Sequence, residues 1–261
     1  MKVALLISTY NWPQALELVL LSVKNQSIKP DEVLIADDGS KEETKKLIDD
    51  FKNKCTFPIH HVWHEDNGFR RSLILNKAIA RSNTDYIIQT DGDCILHKDF
   101  IKDHKANMEA KTFLYGSRVN IQEEFLPTLF ANKKIGFGLL SKGIKKRTRN
   151  LRIPLIAGMY KRKNELSKKL RGCNLSYWRK DFIAINGYNE EIEGWGREDS
   201  EMIIRMLNNG VEGKRLRYGG IIYHIWHKTA NQNRFELNDQ LQKKAIENKS
   251  KWSKKGIDKY L

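Results

Sequence analysis

The run Tyr86-Ile87-Ile88-Gln89-Thr90-Asp91-Gly92-Asp93 constrains the fold of this chain more than any other stretch. Its β-branched and aromatic residues suit a buried strand, and that strand stops at two carboxylates separated by one glycine. An open α/β sheet gathers its ligands at the carboxyl ends of its strands, so acids there stand where chemistry is done. Two carboxylates this close repel each other unless something positive lies between them. A divalent cation bridging a diphosphate would answer that repulsion, and oxygen donors suit Mg²⁺ or Mn²⁺. Taken alone, the same residues also read as a solvated Asp-Gly turn.

The flanking sequence favours the first reading. Val3–Ser8 reads as a buried strand ending at Thr9-Tyr10-Asn11, and Pro13 opens a helix to about Asn25 with Leu16, Val19, Leu20 and Val23 at helical spacing. Glu32–Ala36 is a second strand running into Asp37-Asp38-Gly39-Ser40, with a helix over Glu42–Lys54. Pro58–Trp63 is a third strand, and Asn67-Gly68 turns into a helix carrying Ser72, Leu75, Asn76 and Ala80. Strand and helix alternating at this spacing predict a parallel, doubly wound α/β sheet with helices on both faces. Polar clusters follow the first, second and fourth strands, where such a sheet binds nucleotides. Neither the glycine fingerprint of dinucleotide binding nor a Walker-type phosphate loop occurs.

The second half holds another dense stretch, Arg171-Gly172-Cys173-Asn174 through Gly194-Trp195-Gly196-Arg197-Glu198-Asp199. Gly194 and Gly196 leave Trp195 in a loop able to keep a large ring exposed, a platform for a sugar. Glu198 and Asp199 open a helix to about Asn209, where its N-terminus favours negative charge. A carboxylate beside an aromatic platform is a candidate general base; the plainer alternative is a helix cap with Trp195 in the core. After a short strand over Gly220–Tyr223 come His224 and His227, alternative metal partners for Asp93.

Charge and cysteine usage narrow the setting. Cys55, Cys94 and Cys173 are scattered and odd in number, which points to reduced thiols in a cytoplasmic setting. Met1-Lys2 leads straight into the first strand, so no signal peptide is expected, and no apolar run approaches the roughly 20 residues of a bilayer span. The net charge of +15 is uneven: fourteen Lys/Arg against Glu165 lie between Lys133 and Arg171, and seven Lys against Glu247 and Asp258 lie from Lys243 onward. A basic segment on a balanced body points to a polyanionic partner, whether nucleic acid, an anionic membrane face or a phosphorylated lipid. Short apolar runs, Phe125–Phe130, Ile135–Leu140 and Ile153–Tyr160, interleave with those cations as in a segment lying on an anionic bilayer; a solvated helical insertion is the alternative. No recognised nucleic-acid module accompanies the charge.

Ser8-Thr9-Tyr10-Asn11, Asp37-Asp38-Gly39-Ser40, Asn67-Gly68-Phe69-Arg70 with Asn76-Lys77-Ala78, and Asp91-Gly92-Asp93 together resemble the family 2 glycosyltransferases of GT-A fold, over roughly Lys2–Phe100. The resemblance implies a Rossmann-like, mostly parallel central sheet. It implies that Thr9, Tyr10, Asp37 and Asp38 meet the base and ribose of a nucleotide. Asp91 would lie near the ribose and Asp93 on the metal. Asn67 and Arg70 would lie at the nucleotide too; Arg70, a fixed cation, suits phosphate. The Trp-Gly-x-Glu-Asp stretch resembles β-1,4-galactosyltransferases and bacterial capsular polysaccharide polymerases. That likeness implies Asp199 as catalytic base, Glu198 on donor or acceptor hydroxyls, and Trp195, Asn174 and Gly196 at the acceptor. It also implies a metal-binding histidine, with His227 ahead of His224.

The expected organisation is one continuous GT-A domain: a donor half (1–112), a basic, partly apolar helical insertion (113–170), an acceptor and catalytic half (171–230) and a basic helix or tail (231–261). The implied activity is inverting transfer of a hexose or N-acetylhexosamine from a nucleotide sugar, UDP-linked for preference, with Mn²⁺ or Mg²⁺. The acceptor would be an oligosaccharide or lipid-linked saccharide of surface polysaccharide or lipopolysaccharide synthesis, reached at the inner membrane face, with no nucleic acid involved. A sugar-phosphate nucleotidyltransferase would carry a glycine-rich basic loop after the first strand, which Ser8–Asn11 is not. A nucleic-acid-binding protein would leave the aligned carboxylates unexplained.

Overall fold

Alternate residues of the first strand feed two different cores. In the computed structural model, which describes residues 1–228 and 231–261, β1 (Val3–Thr9) sends Val3, Leu5 and Ile7 to one face and Ala4 and Leu6 to the other. Both faces of a parallel sheet are covered, so its strands are apolar throughout rather than alternating. α1 (Pro13–Lys24), β2 (Glu32–Asp37), α2 (Glu42–Lys52), β3 (Ile59–Trp63), α3 (Arg71–Ala80) and β4 (Tyr86–Asp91) follow in the expected order, with expected ends within two residues of those found. Helices α1 and α2 pack Leu16, Val19, Ile48 and Phe51 on the first face, and α3 packs Ile74, Leu75, Ala78 and Ile79 on the second.

After β4 the chain forms β5 (Cys94–Leu96), α4 (Phe100–Asn107), β6 (Thr112–Tyr115), β7 (Arg118–Ile121), α5 (Leu126–Ala131), β8 (Ile144–Lys145), α6 (Pro154–Ala157) and β9 (Arg162–Lys163). It then forms β10 (Leu175–Trp178), α7 (Arg179–Ala184), α8 (Glu198–Asn208), β11 (Glu212–Arg215), β12 (Ile222–His224) and α9 (Phe235–Glu247). The main sheet runs β3-β2-β1-β4-β10-β6-β11-β9; β3 to β4 are parallel, and β10 lies antiparallel to β4 and β6. A second sheet, β5-β12-β7-β8, continues from the end of β4 over a third core that includes Ile95, Val119, Ile144 and Tyr223.

Residues 113–170 do carry helices, α5 and α6, both short, while most of β6 and all of β9 join the main sheet and β7 and β8 the second. The basic segment is therefore woven into both sheets. The lysine-rich C-terminal part forms α9 and then returns to the core: Ile257 is fully buried and its N–H donates to Asn186 O at 3.1 Å. Among the described residues no helix is long and apolar enough to cross a membrane.

Candidate active site

The carboxyl ends of β1 and β4 lie side by side, with Ser8 paired to Asp91. Strand order turns at this point, from β2 on one side of β1 to β4 on the other, which is where open α/β sheets bind ligands. The two ends are locked together: Ser8 Oγ donates to Asp91 Oδ1 at 2.8 Å, and Gly92 N donates to Ser8 O at 2.7 Å. A Cβ on Gly92 would stand 2.9 Å from Thr9 Oγ1, so the turn between the two acids has no room for a side chain. A cavity of about 810 Å³ opens above these ends.

Asp93 meets its partners through strand pairing. β12 runs antiparallel to β5, setting His224 opposite Cys94, and Ile225 N donates to Asp93 O at 2.9 Å. Asp93 Oδ2 then lies 3.1 Å from His227 Nε2 and 3.6 Å from His224 Nε2. His227 Nδ1 is 2.7 Å from Lys228 O, a bond that it makes as donor. A neutral His227 would thus turn a lone pair toward the carboxylate, and a proton or a cation must lie between them. Burial opposes the charge on Asp93, yet the hydrogen bond from His227 and the charges of both histidines hold its pKa below the usual carboxylate range. One carboxylate and two imidazoles, their donor atoms within 4.8 Å of one another, make a donor set that fits a divalent cation.

A second group of charges faces them. Arg71, the first residue of α3, sends Nη2 to Asp91 Oδ1 at 2.5 Å and Nη1 to Glu198 Oε1 at 2.9 Å and Asp199 Oδ1 at 3.3 Å. One guanidinium thus answers three acids. Burial opposes the charge on Arg71, but Asp91, Asp199 and Glu198 hold its pKa well above normal. Asp199 is pushed up to about 7 by burial and then by the charge of Glu198, against the pull of Arg71. A carboxylate poised there suits proton abstraction near neutral pH. Gly172 packs so closely that a Cβ would fall 2.1 Å from Asp199 Oδ2. Gly172→Ala must therefore displace Asp199, and we expect it to lower turnover at least about tenfold, read by steady-state kinetics.

Thr9, Tyr10, Asp38 and Phe69 also line the cavity, with Tyr10 and Phe69 half exposed. Asp38 is fixed by His64 Nε2 at 2.7 Å and by Arg70 N, which donates to its Oδ2 at 2.9 Å. Gly196 and Trp195 reach the cavity too, Trp195 resting on Phe235 of α9 with ring centroids 6.0 Å apart. Gly194 N donates to Phe69 O at 2.9 Å, tying the tryptophan loop to the β3–α3 connection.

Four residues expected at the site lie off the cavity wall. Asp37 is fully buried, its oxygens held by His61 Nε2 and Ser40 N, because it continues the Val33-Ile35 face covered by α1 and α2. Asn67 lies in the exposed loop before α3. Arg70 caps that helix and turns its guanidinium back to Glu65 O at 2.7 Å. Asn174 is fully buried as a bracket: its Nδ2 donates to Ser117 O and Gly220 O, and its Oδ1 accepts from His104, a ring kept neutral by burial with a pKa of about 3. Arg71, Ser8, Phe69 and Phe235 line the cavity instead. The sequence reading puts the fixed cation at Arg70, but one residue of helical phase sets Arg71, not Arg70, against the acids.

An α/β sheet with an acid cluster at its switch point, a carboxylate–histidine metal set and an aromatic-walled cavity defines a nucleotide-binding enzyme of GT-A fold. Sequence comparison supplies the family. The chain matches the description "Glycosyl transferase family 2" over residues 4–166, more than half of its length, and belongs to that family. Residues 154–228 match a second description, "N-terminal domain of galactosyltransferase". Among curated proteins it is 24% identical over 246 residues to a hyaluronan synthase of Pasteurella multocida, covering 85% of this chain and 24% of that protein. It is likewise 24% identical over 246 residues to a chondroitin synthase of Escherichia coli, covering 85% of this chain and 34% of that one. It is 37% identical over 101 residues to the O-antigen chain rhamnosyltransferase RfbN of Salmonella typhimurium, covering 37% and 29%. The chain thus spans from about a quarter to a third of the length of these relatives. Among solved structures, S. aureus TarS 1-349 in complex with UDP superposes with a TM-score of 0.64 at 16% identity, covering all of this chain and 68% of that one. The mannosyltransferase PcManGT from Pyrobaculum calidifontis, in complex with GDP-Man and Mn²⁺, gives 0.63 at 15%, covering 94% and 64%.

Proposed function

We propose that this chain is an inverting, metal-dependent glycosyltransferase that moves a hexose or N-acetylhexosamine from a UDP-sugar to a saccharide hydroxyl. The observation that carries the proposal is one cavity with Asp93, His224 and His227 on one wall and Asp199 on another. Asp93, His227 and His224 would hold Mn²⁺ or Mg²⁺. Bound there, the cation would supply positive charge against that developing on the departing diphosphate. Tyr10, Phe69, Thr9 and Asp38 receive the nucleobase and ribose, and Asp91, fixed by Ser8 and Arg71, meets the ribose from below. The acceptor sugar stacks on Trp195, with Glu198 on its hydroxyls. Asp199 takes the proton of the attacking hydroxyl, and that oxygen displaces the diphosphate from the opposite face of the anomeric carbon. Such a single displacement inverts the anomeric centre.

Relatives named for hyaluronan, chondroitin and O-antigen chains support a surface polysaccharide or lipopolysaccharide as the product. The basic, apolar-tipped segment supports work at the inner membrane face. The test is a panel of UDP-, GDP- and CMP-sugars incubated with Mn²⁺ and a mixed saccharide pool, with the product's anomeric configuration read by NMR. UDP release with an inverted linkage is expected; a retained linkage, or no turnover of any donor, would sink the proposal.

A further inference from the structure

Six cations gather beside the cavity without a carboxylate to answer them. Arg118 opens β7, Lys146 and Arg149 follow β8, Arg171 precedes β10, and Arg215 and Arg217 close β11. Among the described residues none of the six makes an ion pair, although some cations nearby do: Arg152 holds Asp99 and Asp103, Arg162 and Lys214 hold Glu109, and Lys163 holds Glu165.

Backbone and ring contacts hold several of them in place. Arg149 Nη1 donates to Arg118 O at 3.1 Å, Arg149 N donates to Lys146 O at 2.9 Å, and Arg217 lies over the Tyr218 ring at 4.7 Å. Burial, then repulsion from Arg217, Arg215, Arg118 and Arg171, holds the pKa of Arg149 below the usual arginine value; burial, then Arg149, Arg118 and Arg171, does the same for Lys146. Like charges set this close relax when an anion joins them. Arg118 and Arg171 also line the catalytic cavity, so the cluster is continuous with it. Forked guanidiniums match phosphate oxygens best.

Large apolar side chains flank the cluster in solvent. Leu140 is 93% exposed, Leu155 89% and Met159 74%. Arg147 Nη1 donates to Leu139 O, which ties the first loop to the cluster, and Ile153 N donates to Tyr218 O at 2.9 Å, which ties α6 beside Arg217. Exposed apolar tips around a cation nest fit an amphiphile with a phosphate head.

We propose that Arg118, Lys146, Arg149, Arg171, Arg215 and Arg217 bind the phosphate of a lipid-linked acceptor. Its hydrocarbon runs over Leu140, Leu155 and Met159, and its sugar hydroxyl reaches Asp199. This deepens the transferase reading and rests on it for the role of Asp199. The test is calorimetric binding of dodecyl phosphate below its micelle concentration, with inorganic phosphate and dodecyl maltoside as comparators and UDP with Mn²⁺ as donor-site control. Wild type is expected to bind dodecyl phosphate at least about tenfold more tightly than either comparator, and Arg149→Gln/Arg217→Gln to lose about tenfold or more with UDP affinity unchanged. Equal affinity in the double variant would overturn the site. Inorganic phosphate binding as tightly as dodecyl phosphate would overturn the lipid source in favour of a water-soluble phosphorylated acceptor. Dodecyl maltoside binding as tightly would reduce the surface to apolar adsorption and overturn it too. Absence of UDP binding would count against the donor reading alone, because the dodecyl phosphate series decides the phosphate site independently.

Discussion

Asp199→Asn is expected to lower sugar transfer by about a thousandfold while leaving UDP affinity within about twofold of wild type. The amide keeps the shape of the side chain but cannot take the proton of the acceptor hydroxyl. Asp93 and the nucleobase end of the cavity are untouched, so kcat falls and donor binding does not. The pH profile gives the same test another form. With its pKa pushed up to about 7, Asp199 holds its proton below that value, so kcat/KM should fall about tenfold per pH unit on the acid side and level off above. Stability runs the other way. The folded pKa lies above the unfolded value of about 4, so the contribution of this group is full below about pH 4 and is lost as pH rises through 7. Asp199→Asn should therefore melt higher than wild type above pH 7, a gain that scanning calorimetry reads directly. A variant with full activity, or a profile with no inflection near 7, would remove Asp199 from the mechanism.

Arg71→Met is expected to cost both activity and stability. It leaves Asp91, Glu198 and Asp199 without the cation that holds them together. Breaking a buried ion pair from one side costs about 3–5 kcal/mol, which for a chain of this size is a melting-temperature drop of roughly 10 °C. The loss should be larger above pH 7, where Asp199 is ionised, than below it, where Asp199 holds its proton. Arg71→Lys restores the charge but not the fork, so it should recover part of the stability and little of the transfer. Equal melting temperatures for wild type and Arg71→Met at pH 8 would refute the bridging role.

The donor half was legible because its strands and helices are long enough to carry a period and because both faces of its sheet are buried. Val3–Ile7 and Tyr86–Ile88 could hardly be anything but central strands. What periodicity could not supply was phase at the ends. Asp37 and Asp38 differ by one residue at a strand end, which sends one carboxylate under the helices and the other to the cavity. Arg70 and Arg71 differ by one residue at a helix start, with the same consequence. Residues 113–170 resisted reading for another reason: β8 and β9 are two residues each, and pairing with β7 and β11 fixes them rather than any pattern of their own. Asn174 stood in the same dense stretch as Trp195 and Asp199, yet its amide joins the β6–β7 turn, the loop before β12 and α4, and lines no cavity. Ile257 was one apolar residue in a lysine-rich tail, and only the fold reveals that the tail returns to the core through it.

The most direct measurement is calorimetric titration of UDP, GDP and CMP, with and without Mn²⁺, into wild type and Asp93→Ala. A UDP-sugar site built on Asp93, His224 and His227 predicts that UDP binds in a metal-dependent way, and that Asp93→Ala weakens this about 10–100-fold. Binding of no nucleotide, or UDP affinity equal in the two proteins with and without Mn²⁺, would contradict a donor site built on Asp93.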